Sequence, residues 1–264
     1  FDEILIAVPS VKGEQMRRII SACEKTGKRF RITPSLMELI DGRITVKAMR
    51  DVKFEDLLGR EEVRLDTELL NRTYRGKRIL ATGAGGSIGS ELIRQLGRYR
   101  PSELALLDFS EYNLFQIEMA ARRQFEAIPV EAYLVDIRSE ENLRRVFTGF
   151  KPEVVFHAAA YKHVPMQELN PWEAVLNNIR GTQHLVTIAQ ETGVERFVLV
   201  STDKAVRPTN IMGATKRVAE MFVECVNGGS GCRFVAVRFG NVLGSSGSVI
   251  PIFEEQITAR MPVR

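Results

Sequence analysis

The chain is short of the residues that build metal centres and disulfide frameworks. Its 264 residues include three cysteines, Cys23, Cys225 and Cys232. Neither their number nor their spacing fits a paired framework or a zinc motif. Ordinary packed thiols in a reducing compartment are expected. His157, His163 and His184 are too few and too dispersed to hold a metal, and none is expected. No apolar run approaches the ~18 residues of a membrane span, and no signal peptide is visible. Neither sign of charge dominates, since 37 basic and 33 acidic residues leave a net charge of +4. Basic clusters such as Arg17-Arg18 and Arg122-Arg123 are short. Nucleic acid, which needs a denser stripe, is not an expected partner. An initiating Met is also missing: the chain opens at Phe1 on residues that read as a strand and stops at "ITARMPVR". It reads as a segment cut from a longer protein.

What is present fits a globular α/β class, with 44% hydrophobic and 27% charged residues. The length allows one large domain, or one ordinary domain with part of a second. Residues 1–75 carry an expected strand at Ile4–Val8, a helix near Lys12–Lys25, a short strand at Phe30–Ile32 and a helix from Pro34 through Ile40. A charged, irregular connector follows. This is part of a small α/β domain, with too few strands to close a sheet. From residue 76 to 264 the pattern becomes regular. Apolar runs at 78–82, 103–107, 130–135, 153–156, 196–200 and 233–237 alternate with helical stretches. Near-continuous apolar strands are buried on both faces, and their alternation with helices predicts a doubly wound parallel sheet. In such sheets the ligand crevice lies at the carboxyl ends of the strands.

The segment "RILATGAGGSIGSELIRQL" runs from strand to glycine-rich turn to helix. Gly83, Gly86 and Gly89, with Gly85 as an extra, allow backbone to approach a pyrophosphate. Ser87 and Ile88 open the helix and present its N–H groups to phosphate. Asp108 ends the next strand, about 20 residues on, where a carboxylate accepts ribose hydroxyls and repels a 2′-phosphate. NAD is therefore expected in preference to NADP. Asp136 ends the third strand in "LVDIR", placed either to meet adenine, with Ile137 against the ring, or to cap a helix. Ala158, Ala159 and Ala160 follow the fourth strand, and small residues let backbone come close to a dinucleotide. Lys162 extends beyond that strand end, where an anionic ligand would sit.

The spaced glycines, "HAAAYKHV", "STDKAV", "GATKR" and "RFGNVLGSSGSVIP" together resemble the extended short-chain dehydrogenase/reductases. More narrowly they resemble the membrane-associated bacterial nucleotide-sugar 4,6-dehydratases of polysaccharide and glycan biosynthesis. That resemblance implies a Rossmann-type sheet and NAD. It implies a UDP-sugar substrate, UDP-N-acetylglucosamine foremost, and a homo-oligomer. It also makes residues 1–75 the tail of a small nucleotide-fold domain, and implies membrane anchoring only through helices outside this chain. The full-length protein would then sit at the cytoplasmic face of the bacterial inner membrane, with this fragment soluble and its C-terminal substrate part cut short.

One residue type is absent where this superfamily usually places it. Short-chain dehydrogenases use a Tyr four residues before a Lys on one helix, and here Lys216 is preceded by Met212. The resemblance implies that Met212 marks a subgroup, as a soft apolar neighbour of nicotinamide or sugar. Proton transfers then fall to "STDK": Thr202 at the C4 oxygen, Asp203 as the acid at the C6 oxygen, and Lys204 as the base at C5. Lys216 would hold the nicotinamide ribose. To act as a base Lys204 must be neutral, which calls for burial or nearby positive charge. Asn178 is expected to support a backbone or water near the centre, Asn241 to contact sugar or diphosphate, and Arg238 to form a structural pair. A nucleotide-sugar 4-epimerase and a catalytically silent NAD-binding module are the alternatives.

Overall fold

The structure, a computed structural model, describes residues 2–8, 11, 13–33, 65–227, 231–240 and 242. The expected helix from Pro34 to Ile40 and the candidate Asn241 lie outside them. The chain divides into two units, Phe1–Leu65 and Asp66–Arg264.

In the first unit β1 (Glu3–Ile6) and β2 (Arg29–Ile32) pair in parallel, with Ile4 opposite Phe30 and Ile6 opposite Ile32. They are joined through α1 (Glu14–Glu24). Met16, Ile20 and Cys23 fall on one face of α1 and are buried with Ile6 and Ile32, as the helical period requires. β1 stops short of the expected Val8 because β2 ends at Ile32 and offers nothing further to pair with.

The second unit begins earlier than the composition shift at residue 75 suggests. Asp66 caps α2 (Thr67–Tyr74) by accepting the Leu69 N–H. The Tyr74 ring lies 5.9 Å from Phe156, so this helix packs with the larger core. That core surrounds six parallel strands: β3 (Arg78–Thr82), β4 (Glu103–Asp108), β5 (Val130–Leu134), β6 (Val154–His157), β7 (Arg196–Thr202) and β8 (Arg233–Phe239). Their order is β5-β4-β3-β6-β7-β8, which is the Rossmann-type doubly wound sheet. One face buries Ile79, Leu104, Leu106 and Val154 under α3 (Ser87–Leu96) and α4 (Glu111–Gln124). The other buries Leu80, Leu107, Val155 and Phe197 under α5 (Glu140–Phe150), α8 (Thr182–Glu191) and α9 (Ile211–Val226). Two short helices, α6 (Val164–Leu169) and α7 (Pro171–Ala174), and a π-helical segment, Val175–Gly181, complete the run between β6 and α8. Strand order reverses between β3 and β6, so a crevice opens at their carboxyl ends.

A buried polar chain ties that crevice to the helices. His157 ends β6 with Nδ1 2.7 Å from Thr82 Oγ1 and Nε2 2.9 Å from Thr182 Oγ1. Thr182 in turn donates to the Asn178 carbonyl at 2.7 Å. The Thr182 proton being so used, Nε2 carries the imidazole proton and Nδ1 accepts from Thr82. Burial, helped by the charge of Lys216, pushes the His157 pKa down to about 3. An unfolded His titrates near ~6.5, so folding favours the neutral ring, and this stability is held above ~6.5 and lost as pH falls toward 3. The expected loss between about pH 7.5 and about pH 5 is on the order of 2 kcal/mol. Urea unfolding at those two pH values checks it, and the pH difference should shrink in His157→Gln.

Candidate functional site

The glycine turn is shaped by close contacts. Gly83 leaves β3 with φ of +67°, and a Cβ there would lie 2.6 Å from the Ala159 nitrogen. A Cβ on Gly89, in the first turn of α3, would lie 2.0 Å from the Gly83 oxygen. α3 therefore starts tight against the end of β3. Gly86 precedes Ser87 at its N-terminus, and no side chain caps the helix there. Bare backbone is what a phosphate-binding helix start presents.

Asp108 is drawn into this turn rather than left open. Its Oδ2 accepts from the Gly85 N–H at 2.9 Å and its Oδ1 from the Ser110 N–H at 3.0 Å, with the residue 6% exposed. The carboxylate thus braces the loop. Asp136 is neither a bare acceptor nor a helix cap. Ser139 occupies the N-cap of α5, and the Asp136 carboxylate is tied to Arg138 through its N–H at 2.9 Å and guanidinium at 2.6 Å. Despite the cost of partial burial, those bonds hold its pKa below the ordinary carboxylate value. The Ile137 side chain is buried in the core and sits where a Cβ on Gly181 would meet it at 2.7 Å.

A cavity of about 850 Å³ fills the crevice. Gly83, Gly86, Ser87, Ile88 and Gly89 line it from one side, with Ala158, Ala160 and Lys162 after β6. Thr202 at the end of β7 and Lys204 after it, and Met212 and Lys216 on α9, share the same wall. Ala159 does not line it. Its backbone instead closes on Gly83, which is why that position must be small. Asp108, Asp136, Ile137 and Asp203 are likewise not part of the lining.

The "STDK" stretch turns out of β7 as a single helical turn, Asp203–Ala205. Thr202 Oγ1 donates to Asp203 Oδ1 at 2.9 Å and accepts the Lys204 N–H at 3.3 Å. Lys204 Nζ lies 3.2 Å from the same Asp203 oxygen. The Thr202 hydroxyl, followed by the Lys204 ammonium, holds the Asp203 carboxyl below its usual range. The Lys204 side chain is 37% exposed and lies against the Asp203 carboxylate. Burial belongs to the other lysine. Lys216 is 4% exposed, and desolvation, opposed by Glu220, brings its amine down to about 8. Its Nζ donates to the Val200 carbonyl at 2.7 Å. Met212, 3% exposed, lies one helical turn before it on the cavity side of α9.

Supporting residues fix these positions. Asn178 accepts the Tyr161 N–H at 2.8 Å and donates to the Tyr161 carbonyl at 3.0 Å, clamping the loop after the alanine run. A Cβ on Gly213 would lie 2.3 Å from the Lys204 oxygen, so glycine lets α9 press against "STDK". Arg238 binds Glu220 at 2.9 and 2.7 Å. Burial would raise the Glu220 carboxyl, but hydrogen bonds led by Arg238 outweigh it and hold the group at about 2. Two contributors had no sequence signal: Gln167 on the cavity wall, and Glu168, whose Oε1 accepts the Ile211 N–H at 2.7 Å at the start of α9. Both depend on how α6 meets α9, which no local pattern encodes.

These residues fit a dinucleotide: an uncapped helix start beside bare glycine backbone, and a buried amine in the same cavity. Among the described residues no His, Cys, Asp and Glu cluster could hold a metal. No helix among them is long and apolar enough to cross a membrane.

A six-stranded parallel sheet, a glycine turn at its switch point and an x-x-x-Lys helix in the same crevice define the class: a Rossmann-type domain of the short-chain dehydrogenase/reductase superfamily. Within that class the chain belongs to the family described as polysaccharide biosynthesis protein, which it matches over residues 79–264. It is 46% identical over 261 residues to the probable polysaccharide biosynthesis protein EpsC of Bacillus subtilis (strain 168), covering 98% of this chain and 44% of that protein. It is 38% identical over 189 residues to a UDP-N-acetylglucosamine 4,6-dehydratase (inverting) of Campylobacter jejuni, covering 70% of this chain and 55% of that one. The solved UDP-glucose 4-epimerase of Thermus thermophilus, in complex with NAD, is similar with a TM-score of 0.60 at 27% identity, covering 70% of this chain and 64% of the other. The chain spans about half the length of these curated relatives.

Proposed function

We propose that the protein carrying this chain is an NAD-dependent nucleotide-sugar 4,6-dehydratase acting on UDP-N-acetylglucosamine. The observation that carries this reading is the joint placement of Thr202, Lys204, Met212 and Lys216 on one cavity wall with the glycine turn. An epimerase needs only exchange at C4, whereas a hydroxyl, a carboxylate and an amine in consecutive positions suit elimination across C5 and C6. The 38% identity to a protein named for that reaction supports the choice.

When bound, NAD would supply the oxidation at C4 and the later reduction at C6. Gly83, Gly86 and Gly89 would hold its diphosphate against α3, Asp108 its ribose, and Lys216 the ribose at the reacting end. Asp203, held ionised by Thr202 and Lys204, has a first task as proton acceptor. It takes the C4 hydroxyl proton by way of Thr202 Oγ1, 2.9 Å away. The same proton then passes from Asp203, again by way of the Thr202 hydroxyl on the cavity wall, to the C6 oxygen, which leaves as water. Lys204, as the neutral amine, removes the C5 proton and returns it to C5 when C6 is reduced, so both groups end as they began. Met212 takes no proton and keeps the wall apolar.

The test is to supply UDP-N-acetylglucosamine to the intact protein with NAD. The expected product is a 4-keto sugar nucleotide lighter by one water. An isomer of unchanged mass identifies an epimerase, and unaltered substrate a silent binding module.

A further inference from the structure

We infer that Gln167 is a substrate-recognition residue whose side-chain amide hydrogen-bonds the sugar of the bound nucleotide sugar. This rests on the nucleotide-sugar reading above. Gln167 lies on α6, which packs against α9, the helix that brings Met212 and Lys216 to the cavity. The residue lines the cavity yet is 6% exposed. Its backbone is satisfied, the N–H donating to the His163 carbonyl at 3.1 Å and the carbonyl accepting from Asn170 at 3.3 Å. Its side chain is not: Oε1 is sealed from water and has no hydrogen-bond partner among the described residues.

A buried amide oxygen without a donor costs folding free energy, and an apolar side chain of the same length would avoid that cost. The apolar choice would suit the place, because Met166 and Met212 line the same cavity. A polar group that is unfavourable for folding, on a side chain that lines a ligand cavity, is accounted for by a donor that arrives with the ligand once rotation about the terminal torsion, which is broad for an amide, turns Oε1 to the cavity. The diphosphate cradle is built by β3 and α3, whereas α6 stands beside the helix carrying the reactive end. The matching ligand part is the sugar, whose hydroxyls and acetamido N–H are uncharged donors. An uncharged amide meets such groups without desolvating an ion.

The experiment compares the intact wild type with Gln167→Met, a substitution of similar length. UDP-N-acetylglucosamine and UDP-glucose are titrated calorimetrically with NAD present, NAD is titrated alone, and thermal midpoints are recorded without ligand. The expected result is sugar-nucleotide affinity weakened about tenfold, the loss of one hydrogen bond, with NAD affinity unchanged and the midpoint equal or higher. Weakening confined to UDP-N-acetylglucosamine assigns the bond to the acetamido N–H; equal weakening of both ligands assigns it to a hydroxyl. Unchanged sugar-nucleotide affinity with a lower midpoint overturns the inference in favour of a packing role, and so does weakened NAD binding alone. Failure of the wild type to bind either sugar nucleotide overturns the functional reading together with this one. Wild-type binding that the substitution leaves untouched overturns this one alone.

Discussion

Replacing Lys204 with Met is expected to lower formation of the 4-keto product by about 10²–10⁴-fold, the range of a lost general base, while NAD still binds. In the turn after β7 the Lys204 amine is the titratable group that lines the cavity among the described residues, and the methionine keeps the stem that packs there. Lys204→Arg keeps the positive charge beside Asp203 but cannot deprotonate near neutrality, so it should fail equally. An electrostatic role would instead be rescued by Arg. Single-turnover assays with mass detection of product, alongside NAD titration, read both quantities. Turnover retained in Lys204→Met removes the assignment of Lys204 as the base.

The second large effect belongs to Gly89, and its sign runs against helix propensity. Gly→Ala inside a helix ordinarily stabilises by about 1 kcal/mol. At Gly149, in the last turn of α5, a Cβ meets nothing within 4 Å, so Gly149→Ala should follow that rule. At Gly89 the new Cβ would fall 2.0 Å from the Gly83 oxygen. This partner is backbone, so the start of α3 must move off β3. Overpacking of this kind costs about 1–3 kcal/mol, and displacing the helix start should weaken NAD binding as well. Urea unfolding and NAD titration of the two variants check the pair. A Gly89→Ala protein as stable as wild type would mean that the turn has room the structure denies.

The six strands of the larger unit were legible in the sequence as apolar runs; the inner strands β3, β4, β6 and β7 are buried along most of their length, whereas the edge strands β5 and β8 are partly exposed. The lower edge was less legible. Asp66 and Tyr74 look like connector in composition, yet the Tyr74 ring packs on Phe156, a contact between residues far apart in sequence. The glycine motif was readable as a spacing, but the reasons differ by position. Gly83 and Gly89 are glycine because backbone crosses them, whereas Gly86 leaves the helix start bare.

The site residues divide in the same manner. Placement of "STDK" and Lys216 follows from strand ends and helical spacing, which are local. The difference of environment between the two lysines is not local. Lys204 meets a carboxylate and solvent, whereas Lys216 is buried, because α9 folds across β7 and encloses its amine.

By itself, then, the sequence determined the doubly wound class, the dinucleotide turn and the absence of a phenol ahead of Lys216, since periodicity and residue chemistry are properties of neighbours along the chain. The tertiary structure alone decided that Asp108 braces the turn, that Ile137 is sealed in the core, and that Gln167 stands at the cavity with an unmet oxygen. Burial and hydrogen-bond partners are set by segments that meet only once the sheet has formed, and they fix how strongly each group holds its proton.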